Sequence, residues 1–82
     1  MKAIERVQTG IRIEKRTLKV LKALAAHLDM GLGELMEGIV LHALDGKTPF
    51  APGTLAKIKQ LRAVYGLTLT AADSHQLTES VS

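Results

Sequence analysis

A mainly α-helical fold with one short N-terminal strand is predicted for this 82-residue chain on three observations. Between Val7 and Ile13 apolar and polar residues alternate with a period of two, the pattern of a half-buried strand. From Lys15 onward the period becomes helical, and helical stretches recur to the end of the chain. Between these stretches lie short segments rich in glycine or proline, residues that end one element and start another.

In the strand, Val7, Thr9, Ile11 and Ile13 share one face, while Gln8, Gly10 and Arg12 occupy the other. The first helix carries Leu18, Leu21, Leu24, Ala25 and Leu28 on its apolar side, with Lys19, Lys22 and Ala26 elsewhere. Glu14, at its start, suits the positive end of the helix dipole. Asp29 to Gly33 forms a glycine-bearing turn. The second helix has the most regular stripe, Leu32, Leu35, Met36, Ile39, Val40, Ala43 and Leu44. Gly31 suits its N-cap, Glu34 suits the reciprocal position of a capping box, and Gly46 suits its stop. Gly38 inside it costs about 1 kcal/mol against alanine, which suggests a partner helix crossing close by.

Residues 47–53 read as a linker, Lys47 to Gly53. A third helix is expected from about Thr54 to Tyr65, with Leu55, Ile58, Leu61, Val64 and Tyr65 apolar and Gly66 as its stop. Thr70 and Asp73 have the spacing of a capping box, predicting a last short helix through about Leu77. The chain thus divides into a core over residues 5–46, the linker, and a helical extension over residues 54–79.

Length and composition narrow the function. One small domain without cysteine has neither a disulfide nor a thiolate metal site to support it, so oligomerisation is the remaining stabiliser. Phe50 and Tyr65 are the only aromatic residues, too few for the base-stacking platforms of single-strand nucleic-acid modules. The apolar runs fall short of the about 20 residues of a membrane span, and the start of the chain lacks a signal-peptide pattern, so a cytoplasmic location is expected. His27, His42 and His75 have no metal-ligand spacing, and neither metal nor cofactor is expected. The contiguous Asp73, Ser74 and His75 cannot line up as a catalytic triad, and no phosphate-binding glycine loop is present, so the chain does not read as an enzyme.

Charge is asymmetric. Residues 1–30 carry Lys2, Arg6, Arg12, Lys15, Arg16, Lys19 and Lys22 against three carboxylates, whereas residues 31–82 carry four Lys/Arg against five Asp/Glu. Such a distribution points to a polyanionic partner for the first third of the chain. A helix-turn-helix would place the second helix in a DNA groove, but its main polar groups are Glu34, Glu37 and His42, without a lysine or arginine. The single strand, lacking a mate, predicts antiparallel pairing with a second copy about a two-fold axis.

The run Ile11-Arg12-Ile13-Glu14-Lys15-Arg16-Thr17-Leu18, then Leu21, Leu24, the glycine turn and the striped second helix, resembles the ribbon-helix-helix DNA-binding proteins (the Arc and MetJ type) over about residues 5–46. The resemblance implies a homodimeric transcriptional repressor whose two-stranded ribbon enters the major groove of duplex DNA. It implies that Gln8, Gly10 and Arg12 face base edges, Gly10 being blank, and that Arg6, Lys15 and Arg16 contact phosphates. The backbone of Gly31, Leu32 and Gly33 would hold a further phosphate at the second helix's N-terminus. Two positions depart from the family: Gly31 stands where a hydroxyl residue is usual, and Glu14 where proline or a small polar residue is common. Residues 54–79 extend the core or bind a partner protein, as such segments do in antitoxins of this family. The alternative is a dimeric protein-interaction module, antitoxin-like or structural, with the same fold and little DNA binding.

Overall fold

The computed structural model describes residues 2–80. It contains three α-helices, α1 Lys15–His27, α2 Leu32–Leu44 and α3 Pro52–Tyr65, and one turn of 3-10 helix at Ala71–Asp73. There is no β-strand among the described residues. Residues 2–12 form an exposed arm without regular structure, leading through half-buried Ile13 and Glu14 into α1. The strand predicted over Val7–Ile13 is therefore overturned, and with it the ribbon-helix-helix architecture and its strand pairing across a homodimer. The reason is physical. A strand's N–H and C=O groups need a neighbouring strand, and the described residues contain none. Val7 and Ile11, expected to be half-buried, are 83% and 66% exposed.

The start of α1 is fixed by Glu14. Its carboxylate accepts the backbone N–H groups of Arg16 and Thr17 at 3.0 and 2.9 Å, satisfying two of the donors a helix N-terminus leaves open. The end of α1 is fixed by a left-handed residue, Asp29, at φ 56°. Met30 N–H then reaches Ala25 O at 3.0 Å, and Asp29 N–H reaches Ala26 O at 3.1 Å, the paired bonds of a Schellman motif. The same pairing closes α2 at Gly46, where Lys47 N–H meets His42 O at 2.8 Å. It closes α3 at Gly66, where Leu67 N–H meets Arg62 O at 2.9 Å. Both glycines were expected stops. Proline explains why α3 begins at Pro52 rather than Thr54, since its fixed φ and missing N–H suit the first helical position.

Packing is organised around α1, which contacts both α3 and α2. Leu24 is 2% exposed, the most deeply buried large side chain among the described residues. With Ala25 and Leu35 of α2 it forms a small core, closed by Leu21, Leu28, Met30, Ile39, Phe50, Ile58 and Leu61. Val20, which lies outside the predicted stripe, is buried too, as is Leu67 beyond the Gly66 turn. Ile58 and Leu61 thus join α3 to the same core as α1 and α2.

Two further expectations change. Thr70 N–H does donate to the Asp73 carboxylate at 2.8 Å, but the helix stops after one turn instead of reaching Leu77. Ser74 is extended at ψ 135° and His75 is left-handed at φ 68°, so the helical path ends there. At Gly38, a Cβ would meet nothing within 4 Å, so no helix of this chain crosses close to it. The arm also enlarges the molecule: its radius of gyration is 14.0 Å, against about 12 Å for a compact domain of this length.

Three identical helix endings with glycine at two of them make Asp29 a site for stabilisation. Asp29→Gly removes the steric penalty of the left-handed conformation, less the entropy a glycine loses on folding, for a net gain of about 0.5 kcal/mol. Chemical denaturation should show a higher midpoint with an unchanged slope. A lower midpoint would mean that the Asp29 side chain itself holds the turn.

Candidate nucleic-acid interface

The residues expected to contact DNA are distributed over three places. Arg6, Gln8, Gly10 and Arg12 lie on the exposed arm, Lys15 and Arg16 begin α1, and Gly31, Leu32 and Gly33 begin α2. The first two places are contiguous. The third is separated from Lys15 by the length of α1, about 20 Å along its axis. Gly31 is the α2 N-cap in extended conformation, as expected, but it makes no side-chain cap, and Glu34 stands in the first turn. The glycine-bearing turn is therefore not brought together with the basic arm within one chain.

On α1, Lys15, Lys19 and Lys22 recur at i, i+4 and i+7 and are all exposed. This lysine stripe runs directly on from the arm. Together they form a continuous basic tract from Lys2 to Lys22, on the side of α1 that does not carry Leu24 and Ala25. The arm itself has no regular structure.

Each arginine in the tract already meets a carboxylate. Arg6 grips Glu37 of α2 with two bonds, Nε to Oε2 at 3.0 Å and Nη2 to Oε1 at 2.9 Å. That contact holds the Arg6 guanidinium above its ordinary range and the Glu37 carboxyl below the usual carboxylate range. Arg12 pairs with Glu79, which folds the end of the chain back toward the arm. Arg16 Nε donates to Glu14 at 3.2 Å, and its Nη1 donates to Gly66 O at 3.2 Å, tying the start of α1 to the end of α3. The pairs of Arg6 and Arg12 are exposed, where charges are weakly held and phosphate oxygens readily replace carboxylate oxygens.

A cleft of about 810 Å³ lies where the arm joins α1, with Arg12, Lys15 and Arg16 on one wall and Leu77, Thr78 and Glu79 on the other. Neither Glu37 nor Glu79 was singled out as a partner in the sequence. The signal for Glu79 was present in the charge distribution: it is the one carboxylate in residues 74–82, opposite a basic segment. Pairing across 67 residues, however, is not encoded in any local pattern.

No protein-family model matches the chain, and no curated protein or solved structure matches it either. No helix among the described residues is long and apolar enough to cross a membrane.

Glu14 has an acid-sensitive role here. The backbone N–H groups of Arg16 and Thr17 pull its carboxyl from an ordinary 4.5 down to about 2. Because the folded carboxyl binds its proton more weakly than the unfolded one, its stabilisation is whole above pH 4.5 and is lost as pH falls toward 2. Glu14→Gln should lower the melting temperature at neutral pH and reduce the loss between pH 4.5 and pH 2, read by circular dichroism. An unchanged acid dependence in the variant would show that the cap does not carry it.

Proposed function

We propose that this chain binds duplex DNA through the basic tract formed by the arm and the lysine stripe of α1, and regulates transcription by occupying its site. The observation that carries this reading is the exposure of Lys2, Arg6, Arg12, Lys15, Lys19 and Lys22 on one contiguous segment. Lys15, Lys19 and Lys22 on a rigid helix supply phosphate contacts at fixed spacing. The arm supplies Arg12 and Gln8, whose hydrogen-bonding geometries suit guanine and adenine edges. Gly10 between them leaves the arm's centre without a reading side chain, so affinity rests more on phosphates than on bases.

Binding by this route exchanges internal carboxylates for phosphates. Arg6 leaves Glu37, and Arg12 leaves Glu79, when the polyanion arrives. A second reading, a protein-interaction module that does not bind DNA, is favoured by one observation: the arginines nearest the proposed DNA are already satisfied within the chain.

Fluorescence anisotropy with a labelled duplex over a series of salt concentrations tests the proposal. The affinity should fall linearly on a logarithmic plot against salt, and each of Lys15→Ala, Lys19→Ala and Lys22→Ala should reduce the slope by about 1. Absence of binding at low salt, or a slope unchanged in all three variants, contradicts it. The same assay reads the ion-pair exchange. Glu79→Gln should tighten binding by up to about fivefold, because it releases Arg12 from an exposed pair. Asp29→Asn, which removes the same charge outside the tract's pairs, should have a smaller effect. Equal effects would assign the change to net charge instead of to Arg12.

A further inference from the structure

A concave surface lies outside the basic tract. A groove of about 380 Å³ runs along α2, a volume within the range of small-molecule sites. Glu34, Gly38 and His42 recur at i, i+4 and i+8 along its rim, and buried Leu35 lies with Ile39 in its floor. The turn at Gly46, where Lys47 N–H meets His42 O, sends the chain back past α2. Phe50 of the linker then forms the facing wall, and Thr54 brings in the first turn of α3.

Gly38 indicates that the groove serves something outside the chain. Glycine in a helix interior weakens it more than any residue except proline. A Cβ at Gly38 would meet nothing within 4 Å among the described residues, so packing within the chain does not require glycine there. Its missing side chain instead leaves the middle of the groove wide. Charge indicates what would fit. No lysine or arginine lines the groove, although the chain carries 11 of them and a net charge of +3. Glu34 has no ion-pair partner among the described residues; Arg6 feels its charge, but both bonds of that guanidinium go to Glu37. His42 Nδ1 lies 2.6 Å from Gly38 O, and a carbonyl only accepts. Nδ1 therefore donates, and Nε2 of the neutral ring is a second acceptor, about 12 Å from Glu34 along the helix axis. Phe50 supplies an aromatic ring, whose face attracts a cation.

We propose that this groove binds a small organic cation, an ammonium group on an aromatic or aliphatic body, with the ammonium at Glu34 and the body against Leu35, Ile39 and Phe50. An acidic rim over an apolar floor selects that combination. A carboxylate ligand meets Glu34 as a like charge, and a fully hydrophilic cation leaves the floor uncovered. The bound molecule also has a structural effect. α2 and α3 pack on α1 rather than on each other, so a ligand touching Gly38, Phe50 and Thr54 joins them. The lining begins at Leu28, beyond the basic tract, and the site stands whether or not that tract binds DNA.

Residue-resolved amide shifts of the full chain, titrated separately with phenethylammonium, phenethyl alcohol and hydrocinnamate, test the proposal. Phenethylammonium should give saturable shifts at Met30, Glu34, Gly38, His42 and Phe50, and should raise the melting temperature. It should bind about fivefold more tightly than the alcohol, with hydrocinnamate weaker than either. Glu34→Gln should erase the preference for the cation. Glu79→Gln, which removes the same charge from the other cleft, should keep it. Gly38→Leu should melt no lower than the native chain, since leucine favours a helix, and yet lose the binding. Equal binding of the three compounds, shifts absent or centred elsewhere, or a Gly38→Leu chain that binds as the native one does would overturn the proposal.

Discussion

Leu24, in the middle of α1, is the most deeply buried member of the small core that holds the three helices together. It clusters with Ala25 and with Leu35 of α2, and Ile39 of α2 and Ile58 and Leu61 of α3 pack against that cluster. Burying one leucine among such neighbours is worth about 1.5–3 kcal/mol, a large share of the stability a chain this small can reach. Because few other side chains are buried as deeply, α1 serves as the scaffold for everything else. Its N-terminus is capped by Glu14, its C-terminus turns through Asp29 into α2, and Arg16 links its first turn to the end of α3. The lysine stripe is presented on a helix whose position is set from both ends.

This arrangement separates rigid from adaptable charge. Lys15, Lys19 and Lys22 ride on the best-anchored helix, while Arg6 and Arg12 ride on an arm tied down by exposed ion pairs alone. Exposed pairs cost little to break, so the arm can leave α2 and the chain's end without disturbing Leu24 and its neighbours. Under the proposed function the helix fixes where the polyanion lies and the arm adapts to it. The carboxylates of Glu37 and Glu79 then act as internal competitors for the same arginines.

The helices were legible in the sequence because their signals are local. The stripe Leu21, Leu24, Ala25 and Leu28 marks the side of α1 that packs, and Gly46 and Gly66 mark the stops of α2 and α3. Thr70 and Asp73 marked a helix start but not its length, which the left-handed His75 cuts to one turn. The alternation from Val7 to Ile13 was misleading, since period-two patterning specifies a strand only where another strand pairs with it. The stripe on α2 was equally regular, yet Leu35 is its one buried member, because periodicity does not state how many faces a neighbour covers. At the candidate interface, exposure of Arg6 and Arg12 followed from their place in the sequence. Their pairing with Glu37 and Glu79 did not, since it joins residues 31 and 67 positions apart.

The central claim is that the arm and α1 present one basic surface to duplex DNA while α3 stays behind the core. Residue-resolved amide chemical shifts, followed during titration with a short duplex, test it most directly. The account predicts shifts concentrated in residues 2–22, with smaller changes at Glu37 and Glu79 as their arginines leave, and little change along Pro52–Tyr65. Shifts centred on α3, or none at low salt, would contradict it.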